Sequence, residues 1–265
     1  MSKTDYQKRF DGLKRLYGDD AFKLFKKLHI AVVGIGGVGS WAVESLARSG
    51  IGEITLIDYD DIAISNMNRQ LHALDSSVGQ KKIKHMEERI HQINPDCKIN
   101  LIDDFVNMDN MRSYMSKDFN YVIDAIDSIK FKSYMIYYCK RNKIPIITTG
   151  GAGGLTDPTM IQIKDLSRTY NDALAACVRK QLRDDYNFPK NTQRYFGIEC
   201  VFSSQQPVYP KEDGTVSHEK PGIHGVNLDC SMGYGASVNV TAMFGFVAVS
   251  RVIAKILKKN TPEII

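Results

Sequence analysis

No two cysteines of this sequence stand at CxxC spacing; Cys97, Cys139, Cys177, Cys200 and Cys230 are scattered along the chain. A structural zinc needs four thiolates within tetrahedral reach, so the dispersed set excludes a site built from two CxxC pairs. An odd number of cysteines, with a polar opening at Ser2-Lys3-Thr4-Asp5 in place of an apolar signal core, predicts a reducing cytosol. Repeats and low-complexity runs are absent. No uninterrupted apolar run approaches the roughly 18 residues that span a bilayer. The nearest, Gly233–Ile256, is interrupted by Asn239, Arg251 and Lys255 and is expected to be a buried or dimer-interface helix. Charge of one sign does not dominate either: a net +5 accommodates an anionic partner but does not by itself demonstrate nucleic-acid binding. What remains, 265 residues at 43% hydrophobic and 25% charged, is enough for one large or two small globular domains.

The stretch that organises the chain is His29–Gln70. A short apolar run, His29–Gly34, leads directly into Gly34-Ile35-Gly36-Gly37-Val38-Gly39. Glycines there let a phosphate approach the backbone N–H groups at the start of the following helix, which carries Trp41, Val43, Leu46 and Ala47 and whose dipole favours an anion. Gly52 turns the chain into Glu53–Asp58, and Asp58 stands where a strand-end carboxylate accepts hydrogen bonds from a ribose. Taken alone, this signature does not separate an NAD enzyme from an ATP enzyme. A dinucleotide enzyme is expected to enter a helix soon afterwards, whereas this chain continues through Asp60, Asp61, Ser65, Asn66, Asn68, Arg69 and Gln70.

Elsewhere, Tyr6–Lys27 has apolar residues at helical spacing with a break at Gly18. Gly79–Ile93 reads as a helix with Ile83, Met86, Ile90 and Ile93 on one face, and Lys81 and Lys82 in its first turn oppose the helix dipole unless phosphates lie nearby. Strand Lys98–Asp103, helix Asn107–Lys117 and strand Tyr121–Asp127 follow. Asp127, at the carboxyl end of a parallel strand, is placed to hold Mg²⁺ on ATP phosphates or to cap the helix Ile129–Asn142. Asp124, within the strand, is read as structural. The strand Pro145–Gly150 runs into Gly150–Gly154, a turn that can also line a nucleotide pocket. Alternating strands and helices up to that point predict an α/β, doubly wound, mainly parallel Rossmann-like sheet. A less regular α+β portion follows, with strand Thr159–Leu166, helix Asn171–Tyr186, strand Gly197–Phe202 and exposed loops over Pro207–Gly235. The expected division is a helical segment 1–28, a nucleotide-binding region 29–154 and a substrate or dimerisation region 155–265, packed as one unit. Lys164, Arg168, Arg179, Lys180, Arg183, Lys190 and Arg194 outnumber the acids of their stretch and, with Tyr170, Tyr186 and Tyr195, form a candidate RNA-backbone surface. A solvated face is the plainer reading of the same charges.

The strand-end aspartate followed by Ser-Asn-Met-Asn-Arg-Gln and then Val78-Gly79-Gln80-Lys81-Lys82 resembles the E1-like, ThiF/MoeB-type adenylating enzymes. Arg-Leu-Tyr-Gly near the start, Asn-Arg-Gln-Leu-His-Ala-Leu, Asp-Ala-Ile-Asp-Ser, Thr-Thr-Gly-Gly-Ala-Gly-Gly and Phe-Gly-Phe-Val-Ala-Val-Ser narrow it. Together they are similar, over nearly the whole chain, to the group that dehydrates threonylcarbamoyladenosine in tRNA. That resemblance implies a homodimer without structural zinc that cyclises the substituent on adenosine 37 through an acyl adenylate, releasing AMP and pyrophosphate. It implies ATP and Mg²⁺ as cofactors, a monovalent cation (Na⁺ or K⁺), and links to a cysteine desulfurase and its sulfur acceptor. The nucleotide-binding set it implies is Gly34, Gly36, Gly37, Gly39, Asp58, Asp60, Asn66, Arg69, Gln70, Lys82 and Asp127. Arg69, Lys82 and Asp127 act in catalysis, joined by Arg15 from the dimer partner, with Arg9 in reserve. Some E1 enzymes pass an acyl group to a thiol, and Cys230, in a glycine-rich loop, is the candidate for it, although no base is recognisable nearby. Three other readings stay open: activation of a ubiquitin-like sulfur carrier, a non-catalytic nucleotide-binding scaffold for a sulfur relay, and an NAD oxidoreductase.

Overall fold

The structure, a computed structural model, describes residues 5–211, 213–219 and 235–260. Its centre is a seven-stranded sheet in the order β3-β2-β1-β4-β5-β7-β6. The strands are β1 (His29–Val33), β2 (Glu53–Ile57), β3 (Lys98–Ile102), β4 (Tyr121–Asp124), β5 (Ile146–Thr149), β6 (Ile161–Asp165) and β7 (Glu199–Ser203). All pairings are parallel except β6 with β7, which is antiparallel. The inner strands read as continuous apolar runs because helices cover both faces of a parallel sheet. Within β1, Ile30 and Val32 join one core and Ala31 and Val33 the other.

The first core is closed by α1 (Asp5–Phe25), α2 (Gly39–Arg48), α3 (Lys82–Ile93) and α7 (Val238–Asn260); the second by α4 (Met111–Tyr114), α5 (Ile129–Asn142) and α6 (Ala173–Asp185). The break expected at Gly18 is present: its φ of 84° interrupts α1. By length and composition α7 could cross a membrane, with a mean hydropathy of 1.8, yet 61% of that apolar window is buried in the fold. It packs on α2 so closely that a Cβ on Gly245 would stand 2.6 Å from the Val38 carbonyl oxygen. Burial against the protein accounts for its apolarity. A two-stranded ribbon of β8 (Tyr209–Pro210) and β9 (Val216–Ser217) stands apart from the sheet.

Several boundaries differ from the expectation. The helix expected over Asn107–Lys117 shrinks to the four residues of α4. The Asn107 and Asn110 carboxamides take backbone N–H groups of their own turn, the local competition that makes asparagine a poor helix former. β4 ends at Asp124, not Asp127, and α3 begins at Lys82, after Gly79 turns the chain with a φ of 83°. α6 starts at Ala173 because Asp172 caps it, accepting from the Ala175 N–H at 2.8 Å. Cys230 and the start of the stretch from Gly233 lie outside the described residues.

Candidate functional site

The sheet order reverses between β1 and β4, and in such sheets the crevice beyond the carboxyl ends of those strands is where ligands bind. A cleft of ≈ 2010 Å³ opens there. Gly34, Gly36 and Gly37 from the turn after β1 line it, with Asp58, Asp60, Asn66, Arg69, Gln70, Lys82 and Asp127, and on the far side Gly150, Gly151 and Gly153. Ten of the eleven residues of the expected nucleotide set therefore meet in one place. Gly39 is the exception.

The turn's glycines divide by role. A Cβ on Gly39 would lie 1.7 Å from the Gly34 carbonyl oxygen, and Gly34 itself has a φ of 85°, so these two let the chain fold back on itself between β1 and α2. Gly36 faces open space, its nearest neighbour being Gln70 Nε2 at 3.9 Å, and Gly37 abuts the Arg69 side chain at 3.3 Å. Here an anion can approach the backbone.

Asp58, the residue after β2, is buried and ties this loop to the next: its Oδ2 accepts from the Ile35 N–H at 2.6 Å and its Oδ1 from the Asp60 N–H at 2.9 Å. Burial raises its pKa, opposed by the Lys82 ammonium and those two N–H groups. Asn66 and Gln70 are also buried, in a segment where the Arg69 and Gln70 N–H groups both donate to the Asn66 carbonyl. Arg69 Nη1 donates to the Ser65 carbonyl at 2.7 Å and to Asn68 Oδ1 at 3.0 Å, which holds the guanidinium in the lining of the cleft, and its own carbonyl accepts from the Trp41 indole. Behind Gln70 sits His72, fully buried, with Nε2 3.0 Å from Gln70 Oε1 and Nδ1 without a partner among the described residues.

The two lysines at the start of α3 have carboxylate partners. Lys82 is buried and meets Asp60 at 2.6 Å, while Lys81 reaches Asp61 and Asp103 at 3.3 and 3.2 Å. Phosphates are thus not needed to explain cations at that helix end, although the Lys82 side chain still borders the cleft. Asp127 is exposed on the loop after β4. The α5 N-cap is Ser128, so Asp127 does not cap that helix. Asp124 has the structural role read for it: fully buried, it pairs with Lys132 at 3.0 Å and accepts from the Thr148 hydroxyl at 2.6 Å. Arg15 is 77% exposed, contacts Asp11 at 3.8 Å and does not line the cleft of its own chain; Arg9 donates to the Gln92 and Ile93 carbonyls at the end of α3.

Sequence reasoning missed two walls of the cleft. Phe105, after β3, meets Tyr59 and Phe131 at ring distances of 5.5 and 5.9 Å and makes an aromatic rim; its signal was an apolar ring in a polar loop. Asp172 joins the glycine run to α6, accepting from the Gly151 N–H at 3.1 Å, and a Cβ on Gly150 would strike its carboxylate. Asp58, Asp60, Asp104, Asp127, Asp172, Asp213 and Glu219 outnumber Arg69, Lys82 and Lys211 in the lining. Among the described residues no three His, Cys, Asp or Glu side chains gather as a metal cage. Cys97, Cys139 and Cys200 are buried singly, and burial pushes the Cys97 and Cys139 thiols up to about 12.

The sequence profile of the ThiF family matches residues 9–265. The chain is 54% identical over 255 residues to the tRNA threonylcarbamoyladenosine dehydratase of Escherichia coli (strain K12), covering 96% of this chain and 95% of that protein. It resembles the crystal structure of the E. coli dehydratase in complex with ATP at a TM-score of 0.87 and 49% identity, covering 99% of this chain and 100% of that one. The AMP complex gives a TM-score of 0.87 and 49% identity, with 98% and 99% covered.

Proposed function

The chain belongs to the ThiF family, and we propose that within it this protein dehydrates N6-threonylcarbamoyladenosine at position 37 of tRNA at the expense of ATP. The observation that carries the proposal is the convergence on one cleft of the glycine turn, Asp58, Asn66, Arg69, Gln70, Lys82 and Asp127. Identity of 54% with the E. coli dehydratase over nearly the full length of both chains supports it over activation of a sulfur carrier.

The substrate carboxylate attacks the α-phosphorus of ATP, forming a mixed anhydride with AMP while the bond to pyrophosphate breaks. Arg69 and Lys82 are fixed cations at the place where the leaving charge develops, so they need little reorganisation at the moment of reaction. A nucleophile within the same substituent then attacks the activated acyl carbon, closing the ring and expelling AMP, which carries away the oxygen lost as water. Ring closure is intramolecular and benefits from a high effective concentration. No enzyme thiol is needed. Mg²⁺ usually rests on one or two carboxylates plus substrate phosphates rather than in a protein cage, and Asp127, exposed at the cleft, fits that use; there it would neutralise phosphate charge. A monovalent cation completes the proposed requirements. The protein is proposed to act as a cytoplasmic homodimer to which Arg15 contributes across the interface, in contact with a cysteine desulfurase and its sulfur acceptor. The segments 1–28, 29–154 and 155–265 are proposed as its functional divisions.

The test is nucleoside mass spectrometry of modified tRNA after incubation with the protein and ATP. The expected result is loss of one water together with release of AMP and pyrophosphate; ADP and inorganic phosphate, or an unchanged nucleoside mass, would reject the assignment.

A further inference from the structure

The cleft lining carries more carboxylates than cations, and two of those cations, Arg69 and Lys82, are assigned to the phosphates of ATP. Affinity for RNA must then come from outside it. The strip that leads out of the cleft at Asn171 has the required chemistry. Two of its acids are turned inward, since Asp165 accepts from the backbone N–H groups of Ser167, Phe196, Gly197 and Ile198 and Asp172 is buried as the α6 cap, while the exposed Asp184 pairs with Lys180. Lys164 and Arg194 are exposed and Arg168 is half-buried. Among the described residues no carboxylate lies within ion-pair distance of Lys164, Arg168 or Arg194, whereas Lys8, Lys14, Arg15, Lys23 and Lys26 on and beside α1 all have acid partners.

Two of these cations rest on exposed tyrosines. Lys164 Nζ lies 4.7 Å from the Tyr170 ring centre, and the Arg168 guanidinium lies 4.7 Å from that of Tyr195. Arg168 is held there by donating to the Gln193 carbonyl at 2.9 Å. Even so, Tyr195 is 66% exposed and Tyr170 41% exposed. An aromatic ring that keeps one face to solvent beside a cation is a stacking platform for an unpaired base next to a phosphate.

We propose that Tyr170 and Tyr195, with Lys164, Arg168 and Arg194, dock the single-stranded loop of the tRNA, stacking bases that flank the reacting adenosine while that nucleotide enters the cleft past Asn171. This rests on the tRNA reading of the site. Extruding one base unstacks its neighbours, and the strip offers replacement stacking partners next to the entrance.

The experiment compares the full-length protein with Tyr195→Ala, Tyr195→Phe, Tyr170→Ala and Arg168→Ala/Arg194→Ala. It measures binding to modified tRNA by filter retention at several salt concentrations, together with KM for tRNA and for ATP. Tyr195→Ala and Tyr170→Ala are expected to weaken tRNA binding and raise its KM roughly 5- to 100-fold with KM for ATP unchanged, and Tyr195→Phe to stay near wild type. The double arginine variant is expected to reduce the salt slope of binding by about two. Retention of tRNA affinity within twofold in both alanine variants overturns the proposal, as does loss of a protein partner's binding with tRNA binding intact. Failure of the wild type to change the nucleoside mass would instead defeat the activity, while the binding arm still decides the surface.

Discussion

Arg69 and Asp127 illustrate how residues that look equivalent in a motif differ in their support. Arg69 is clamped by the Ser65 carbonyl and the Asn68 carboxamide, whereas Asp127 stands exposed on its loop. Either alanine substitution is expected to lower kcat by about 100-fold or more in AMP release, since one positioned group on developing charge is typically worth about 3 kcal/mol. Arg69→Ala, which also removes contacts around Gly37, is expected to lower thermal stability, and Asp127→Ala to leave it unchanged; calorimetry separates the two. His72 makes a prediction in pH. Burial pushes its pKa down to about 3, so the folded protein keeps the ring neutral while the unfolded chain protonates it near pH 6.5. Its contribution to stability is complete above that pH and is lost as pH falls towards the folded value, by at most about 1.4 kcal/mol per pH unit. The buried acids Asp58, Asp124 and Asp172, with raised pKa values, act in the opposite sense. Denaturant titrations between pH 7 and 4.5 should therefore show a shallower acid loss in His72→Gln than in wild type, because the acids are common to both.

At the scale of an element, the β1-to-α2 turn separates folding from binding. Gly39→Ala puts a methyl group into the Gly34 carbonyl, backbone against backbone, and is expected to cost more than about 3 kcal/mol or to abolish folding. Gly36→Ala meets nothing closer than a flexible carboxamide at 3.9 Å and should fold with a nearly unchanged melting temperature. Its methyl group, however, occupies the approach of an anion to the loop, so KM for ATP is expected to rise at least about tenfold. Equal stability losses in the two variants would contradict this division of labour. In α4, asparagine side chains that accept local backbone N–H groups displace the longer helix expected over Asn107–Lys117.

For the whole molecule the decisive residue is Arg15, which does not line the cleft of its own chain. If it serves the partner's cleft, mixing Arg15→Ala with Asp127→Ala after subunit exchange should restore activity. Half of the dimers are then mixed and one of their two clefts is complete, so about a quarter of wild-type turnover is expected. No recovery, with mixed dimers verified by native mass spectrometry, would exclude the contribution in trans.

Local chemistry was enough to announce much of this protein. A glycine turn between an apolar strand and a helix and a carboxylate at the next strand end are features of neighbouring residues and implied a nucleotide cleft, while the alternation of strands and helices up to Gly154 implied the doubly wound sheet. The break in α1 at Gly18 was legible for the same reason, since only backbone freedom was involved. Other features depended on which distant segments meet. The acids that neutralise Lys81 and Lys82 come from the loops after β2 and β3; the aromatic rim joins Tyr59, Phe105 and Phe131; and Asp172 reaches back 21 positions to Gly151. An apolar helix such as α7 has the composition of a membrane span, and only its packing on α2 and the sheet shows which surface takes it out of water. Burial, partner and direction belong to the tertiary fold, because each is set by side chains far apart in the chain.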